Sequence, residues 1–343
     1  MNVSAFIKKY DTQNQFQVLI DSCKQIENAW ENKFELDPLL ERELNNIIIC
    51  GMGGSAISAD LLKCFLGEEL QLPLFVNRDY SLPAFANKRT LVIISSYSGN
   101  TEETISCFKE AVEKKCNVAA VSTGGRIKDY AIEKKIPWIK LEEGYQPRFA
   151  LGASFSTLLK ILQSINLIPN QNGVIGNIVS LWKTKGIEYS KEKNSALRIA
   201  EDLIGFIPII YSSVSFEPVA YRLKCQFNEN SKLHAFNHAI PELNHNEIIG
   251  WETFLEKQLN TKLLFLIDND DHPQILKRFE ITGELAKKSG VEIITLQSSE
   301  KNSKVRIMDL IYLGDWITYY LAILRGFDPS EIDFIYELKQ RLA

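Results

Sequence analysis

The stretch Asn46-Ile-Ile-Ile-Cys-Gly-Met-Gly-Gly-Ser-Ala56 has the pattern of a strand, a glycine loop and the start of a helix. The β-branched run at 46–50 is typical of a strand buried on both faces. The glycines of the Gly51–Ser55 loop allow a sharp turn with exposed N–H groups, and the following helix directs the positive end of its dipole to the same point. Such a loop favours an anion, and Ser55 adds a hydroxyl donor.

The alternation of strands and helices continues along the chain and predicts mostly parallel sheets flanked by helices, an α/β fold. Further strands are predicted at Leu74–Val76, Thr90–Ser95, Val118–Ser122, Ile207–Tyr211, Lys262–Ile267 and Val291–Leu296. Helices are predicted at 14–30, 56–65, 102–114, 128–134, 217–228, 273–289 and 307–325. Asp328-Pro-Ser-Glu331 carries the signature of a helix start and predicts a last helix from there.

The length of 343 residues suggests two domains. We place them at 1–165, with the two anion loops, and at 166–343, because 151–180 changes from a helical to a loop-like pattern. A net charge of −4 disfavours a nucleic-acid partner. Six scattered cysteines without C-x-x-C spacing favour a reduced protein without a disulfide framework or zinc site. With no signal-peptide layout and no membrane-length apolar run, we expect a cytoplasmic protein.

A second loop, Ser95-Ser-Tyr-Ser-Gly-Asn-Thr101, also leaves a predicted strand and enters a predicted helix. The first loop alone fits the dinucleotide fingerprint as Gly51-x-Gly53-x-x-Ala56, for which Asn77-Arg78-Asp79 offers an imperfect acidic partner. A cluster of hydroxyls at a helix N-terminus suits a compact phosphate monoester better, and helix capping explains only one or two of them. We therefore predict phosphate binding by six residues: Gly53, Gly54, Ser55, Ser96, Ser98 and Thr101.

Taken together, the two loops resemble the sugar isomerase (SIS) domain. Several strings then resemble the bifunctional phosphoglucose/phosphomannose isomerase family in the right order over nearly the whole chain: Pro147-Arg148, Asn228-Glu-Asn230, Pro241-Glu-Leu-Asn-His-Asn-Glu247, Gly250-Trp251, Gly314-Asp-Trp316, Asp328-Pro329 and Leu338-Lys339. The resemblance implies two SIS-type subdomains, each a mostly parallel sheet flanked by helices. It also implies interconversion of glucose 6-phosphate, and of mannose 6-phosphate, with fructose 6-phosphate through a cis-enediol.

The same resemblance implies four catalytic residues. Glu229 is the base that moves the proton between C2 and C1, and Arg148 supports the enediolate charge. His245 opens the sugar ring and is supplied by the neighbouring subunit of a homodimer, while Lys339 helps with ring opening or positions the substrate. The chemistry is proton transfer alone and needs no cofactor. His234 and His238 lack a third ligand at sensible spacing, so we predict no metal.

Two other functions remain open at this stage. A non-catalytic SIS regulator that senses a sugar phosphate would keep the hydroxyl loops without needing Glu229 or His245, although no basic helix-turn-helix segment is apparent. A nicotinamide-dependent dehydrogenase rests on the glycine loop alone. The hydroxyl with which the family accommodates either C2 epimer has no clear counterpart in Ser330-Glu331-Ile332, which makes activity on the mannose epimer less secure.

Overall fold

The computed structural model describes residues 3–40, 42–252 and 260–342. The helices in these ranges are α1 (Val3–Tyr10), α2 (Gln15–Ile20), α3 (Ser22–Glu31), α4 (Gly53–Leu66), α5 (Glu102–Glu113), α6 (Gly125–Lys134), α7 (Leu151–Ser164), α8 (Asn172–Tyr189), α9 (Ser195–Asp202), α10 (Glu217–Glu229), α11 (Pro273–Lys288), α12 (Ser303–Leu324) and α13 (Asp333–Leu342). The strands are β1 (Asn46–Cys50), β2 (Leu74–Asn77), β3 (Thr90–Ser95), β4 (Asn117–Ser122), β5 (Trp138–Lys140), β6 (Ile207–Ser213), β7 (Phe236–Ile240), β8 (Thr261–Leu266) and β9 (Glu292–Leu296).

The chain forms two compact units. Residues 21–180 form one, called the central unit here, and residues 1–20 together with 181–343 form the other, called the composite unit. The change between them falls within α8, and the first twenty residues group with the second half of the chain. The domain limits 1–165 and 166–343 stay a prediction about the folding domains.

The central unit is built on a parallel sheet with the strand order β2-β1-β3-β4-β5. Its middle strands β1 and β3 are apolar and almost wholly buried, because helices cover both faces of a parallel sheet. Cys50 pairs with Ile94, and Ser95 with Val121, so the carboxyl ends of β1, β3 and β4 lie at one edge. Ligands of open α/β sheets bind at this edge, and both predicted phosphate loops begin there.

The composite unit has a second parallel sheet, with the order β7-β6-β8-β9. Its core gathers aromatic side chains of the strands and of the helix behind them, among them Tyr211, Phe265 and Phe279. The predicted α/β class, with two mostly parallel sheets flanked by helices, is confirmed.

Helix α12 is the central helix of the composite unit. Its length and mean hydropathy of 1.3 would suit a membrane span, but 89% of that window is buried inside the structure, as in the core helix of a globular protein. The first helices of the chain cover it. The Phe16 and Trp316 rings meet edge to face at 5.4 Å, and the Tyr312 hydroxyl donates to the Leu19 carbonyl at 2.6 Å.

Several predicted boundaries differ from the structure. The N-terminal region forms three short helices instead of one at 14–30, and β5 and β7 were missed. The prediction that Asp328 caps the last helix is wrong, because α13 begins at Asp333. The Asp328 carboxylate instead accepts from the Ser330 N–H at 2.6 Å and from the Thr12 N–H at 3.3 Å. Its oxygens thus stabilise a turn and bind the N-terminal segment.

Candidate active site

The first loop places glycines at the start of α4, in the central unit. The helix begins at Gly53, and its N-cap residue Met52 provides no side-chain cap. A Cβ atom on Gly54 would lie 2.9 Å from the Pro147 carbonyl oxygen and 3.6 Å from the Arg148 Cα atom. Only glycine fits such an approach of two backbones. The loop therefore brings the Pro147-Arg148 segment directly against the N-terminus of α4, where the helix dipole favours an anion.

In the second loop the hydroxyl groups bond to one another. Ser96 Oγ and Thr101 Oγ1 share a hydrogen bond of 2.9 Å, and the Gly99 N–H donates to Ser96 Oγ at 3.2 Å. Thr101 is the N-cap residue of α5, yet its side chain makes no capping bond. Helix capping therefore does not account for this cluster. Ser98, which accepts from the Asn100 N–H at 3.3 Å, is exposed at the same edge of the sheet.

Tyr97 joins the two loops, a role that the sequence did not reveal. Its N–H donates to Ser55 Oγ at 3.2 Å, which leaves the Ser55 proton available to an acceptor. Its hydroxyl donates to the Glu142 carbonyl at 3.0 Å and accepts from the Tyr145 N–H at 3.0 Å. Burial raises the pKa of the Tyr97 hydroxyl, so it stays a neutral donor at physiological pH. An aromatic residue among small hydroxyls was the only sequence signal.

Arg148 lies in a short 3₁₀ helix, Pro147–Phe149, that leads into α7. Although it is charged, only 3% of its surface is exposed, and its guanidinium lies 5.3 Å from the centroid of the Phe149 ring. The Phe149 carbonyl accepts from Gln25 Nε2 at 2.9 Å, which fixes this turn against α3. The backbone of this buried arginine therefore lies against the N-terminus of α4, in the part of the unit where the helix dipole favours an anion. The structure thus brings together the six predicted phosphate residues and Arg148.

Glu229 is the last residue of α10, in the composite unit, and is half-buried. A buried ion pair orients this helix: Arg222 Nη2 lies 2.8 and 2.7 Å from the two carboxylate oxygens of Asp315 on α12. Gln226 Nε2 donates to the same carboxylate at 2.8 Å. The charge of Glu229 adds to the effect of burial in raising the pKa of Cys225, one turn earlier. Helix α10, which ends in the Asn228-Glu-Asn230 string, is therefore held against α12 at Asp315, within the Gly314-Asp-Trp316 string.

His245 ends the 3₁₀ helix Glu242–His245 after β7 and is exposed. Part of the string around it is structural. Glu247 accepts from the Tyr211 hydroxyl at 2.6 Å and lies 2.8 Å from His238 Nδ1, so His238 has a carboxylate partner. His234 is exposed. In the ranges that the structure describes, no group of three His, Cys, Asp or Glu side chains is arranged to hold a metal ion.

Lys339 lies on α13 and is exposed, as is every described side chain of that helix. Phe334, for example, is 88% exposed. Within the composite unit Glu229, His245 and Lys339 thus lie on three separate elements. The structure does not itself assign them to one site, and their catalytic roles stay predictions.

The paired parallel sheets and the hydroxyl-lined loops at the strand ends define the class: this is an α/β protein of two SIS-type subdomains. Residues 192–342 match the family described as the bacterial phospho-glucose isomerase C-terminal SIS domain. A putative phosphosugar isomerase from Clostridium difficile has the same fold, with a TM-score of 0.70 at 16% identity over 98% of each chain.

Two curated relatives narrow this class. The bifunctional phosphoglucose/phosphomannose isomerase of Caldicellulosiruptor bescii is 37% identical, over 96% of this chain and 98% of the relative. That of Aquifex aeolicus is 33% identical, over 94% and 99%. The chain belongs to the family of bifunctional phosphoglucose/phosphomannose isomerases.

Proposed function

We propose that the protein interconverts glucose 6-phosphate and mannose 6-phosphate with fructose 6-phosphate through a cis-enediol intermediate. Family membership supports the reaction. The observation that carries the proposal is the Ser96–Thr101 loop, whose hydroxyls point to a ligand because they do not cap α5. A dinucleotide-binding protein has no use for this second hydroxyl cluster, so the dehydrogenase alternative is disfavoured.

In the proposed mechanism the 6-phosphate binds the loop N–H groups and the hydroxyls of Ser55, Ser96, Ser98 and Thr101. His245 transfers a proton that opens the ring, with Lys339 assisting or holding the substrate. Glu229 then removes the proton from C2 and returns it to C1, while a proton moves from the C2 hydroxyl to the carbonyl oxygen. Arg148 stabilises the negative charge of the enediolate, and its burial strengthens that interaction because water screens it less.

Both epimers can share one planar intermediate. Removing the C2 proton from the glucose or the mannose epimer erases the configuration at that carbon, so one base serves both substrates if the open chain rotates about C2–C3. C1 is reduced as C2 is oxidised, so there is no net redox change and the proposal includes no cofactor. We further propose a cytoplasmic homodimer in which His245 acts in the neighbouring subunit's site.

The test is a coupled assay with purified protein, in which glucose 6-phosphate and mannose 6-phosphate are supplied separately and fructose 6-phosphate is detected. We expect turnover of both. Turnover of glucose 6-phosphate alone would remove only the mannose activity from the proposal. If neither sugar turns over while a phosphosugar still binds in calorimetry, the isomerase proposal is wrong and the non-catalytic regulator is favoured.

A further inference from the structure

Lys232 has an unusual backbone for its residue type. Its φ angle of 51° lies in the left-handed region, which costs a residue with a Cβ atom about 1–2 kcal/mol and is adopted more readily by glycine or asparagine. The residue follows the Asn228-Glu-Asn230 string by only two positions. The exposed Lys115 and Lys135 share this conformation, so the role of Lys232 follows from its side-chain contacts and not from its backbone alone.

The ammonium group of Lys232 bonds three backbone carbonyls. Nζ donates to the Glu229 carbonyl at 3.0 Å, to the Asn230 carbonyl at 3.2 Å and to the Asp328 carbonyl. An ammonium group has three N–H donors, so this arrangement can use all of them. The first two acceptors are carbonyls at the C-terminus of α10, where the carbonyls of a helix bond to groups outside it. The positive charge there also complements the helix dipole.

The residues on either side of this contact are also held in place. Asn230 Nδ2 donates to Thr318 Oγ1 at 3.2 Å, and Ser231 Oγ donates to the Thr318 carbonyl at 2.7 Å. Asp328 is buried and its carboxylate is itself hydrogen-bonded to Ser330. Lys232 therefore joins the end of α10 to the segment that follows α12. One of its contacts is with the carbonyl of Glu229 itself.

We propose that Lys232 is a positioning residue for the isomerisation base: its three carbonyl contacts fix the backbone at Glu229 and so the direction of that carboxylate. The inference rests on the proposed function of Glu229. Lys232 needs no contact with the sugar, because a base at a helix end moves with its backbone. Misplacement by about 1 Å at a reacting group can cost on the order of 100-fold in rate.

The experiment compares Lys232→Asn and Lys232→Arg with the wild type in the coupled assay. Asparagine tolerates the left-handed backbone but cannot make the three contacts, so Lys232→Asn should fold, unfold at a somewhat lower temperature than the wild type, and be assayed well below that temperature. We expect its kcat to fall by about 10- to 100-fold with KM within about threefold. Lys232→Arg keeps the charge and donors and should recover part of kcat. Lys224→Met on the same helix is the matched control and should leave kcat unchanged.

A double-mutant cycle separates positioning from a merely structural role. In a Glu229→Asp background the carboxylate is already displaced, so Lys232→Asn should cost clearly less than in the wild type. Fully additive effects, a kcat within twofold of the wild type, or a loss confined to KM would each overturn the proposal. If the wild type itself fails to turn over substrate, the proposed function is wrong before Lys232 is tested.

Discussion

At the residue scale, the strictest backbone requirement in the two predicted phosphate loops is at Gly99. Its φ angle is +69°, and a Cβ atom there would lie 1.8 Å from the Gly124 carbonyl oxygen. The loop after β3 and the loop after β4 therefore touch backbone to backbone. This contact fixes the loop that carries Ser96, Ser98 and Thr101.

We predict that Gly99→Ala costs about 2–5 kcal/mol of unfolding free energy, the sum of left-handed strain and overpacking, and weakens phosphosugar binding at least tenfold. Urea unfolding and calorimetry with fructose 6-phosphate measure the two effects. Gly176→Ala is the control, because it adds a Cβ atom to α8 with nothing within 4 Å and should be neutral or slightly stabilising. Wild-type binding by a folded Gly99→Ala protein would contradict this account of the loop.

The second residue-scale prediction concerns Glu229→Gln. The amide is nearly isosteric but cannot accept the C2 proton, so kcat should fall by about 100- to 10 000-fold, with substrate binding almost unchanged. The coupled assay and calorimetry check both parts. Glu217→Gln, an exposed carboxylate at the other end of α10, should retain full activity. Near-normal turnover by Glu229→Gln would exclude it as the base.

How much of the site was predictable differs from residue to residue. The hydroxyls of 96–101 could be located because a strand-to-helix loop in a parallel sheet has a known position. Tyr97 and Lys232 could not be assigned roles, because each has a partner far away in the chain: Ser55 lies 42 residues from Tyr97, and Asp328 lies 96 residues from Lys232. Nothing in local sequence reports such contacts. Arg148 was found only through the family string, and the structure adds that it is buried.

At the element scale, the orientation of α10 depends on the Arg222–Asp315 pair, in which the side chains are 2% and 8% exposed. Removing one partner leaves the other charge buried and uncompensated. We predict that Arg222→Met lowers the unfolding free energy by about 3–5 kcal/mol, measured by urea unfolding. The double variant Arg222→Met with Asp315→Leu should recover most of this loss.

The matched control for that prediction is an exposed pair in the same unit. Arg341 and Glu337 form an ion pair on α13 with side chains 76% and 52% exposed, so Arg341→Met should change stability by less than about 1 kcal/mol. If the buried and the exposed substitutions lower the free energy of unfolding equally, burial of the Arg222–Asp315 pair does not account for its contribution to stability.

The helices and strands that were predicted correctly are those with the clearest local pattern of apolar residues. Strands such as Thr90–Ser95 were located to the residue, because every residue is buried and the middle of the run, 91–94, is apolar. Strand β7, Phe-Asn-His-Ala-Ile, has no such run, since it lies at the edge of its sheet. The start of α13 was misplaced because the Asp328 carboxylate bonds Thr12, far away in the chain, as well as its own turn. Capping signatures do not report such competition.

At the scale of the whole molecule, the proposed homodimer makes a prediction that needs no structure of the complex. Glu229→Gln and His245→Ala should each be nearly inactive. If the site combines Glu229 of one subunit with His245 of the other, a hybrid dimer contains one intact site. Co-refolding the two variants in equal amounts should then restore about a quarter of wild-type activity. No recovery, with mixed dimers verified by mass spectrometry, would place both residues in the same subunit's site.

The covering of α12 by the first helices has a consequence for synthesis on the ribosome. The central unit, residues 21–180, is translated as one uninterrupted segment and can fold as it emerges, since domains generally fold as units from the N-terminal side. The helices synthesised before it cannot yet pack in their final positions. The Leu19 carbonyl, for example, bonds the hydroxyl of Tyr312, which lies 293 residues further along the chain. The apolar side chains of α1 and α2 that pack on α12 therefore stay exposed until α12 has been synthesised, which makes the composite unit the more prone to aggregation of the two during synthesis.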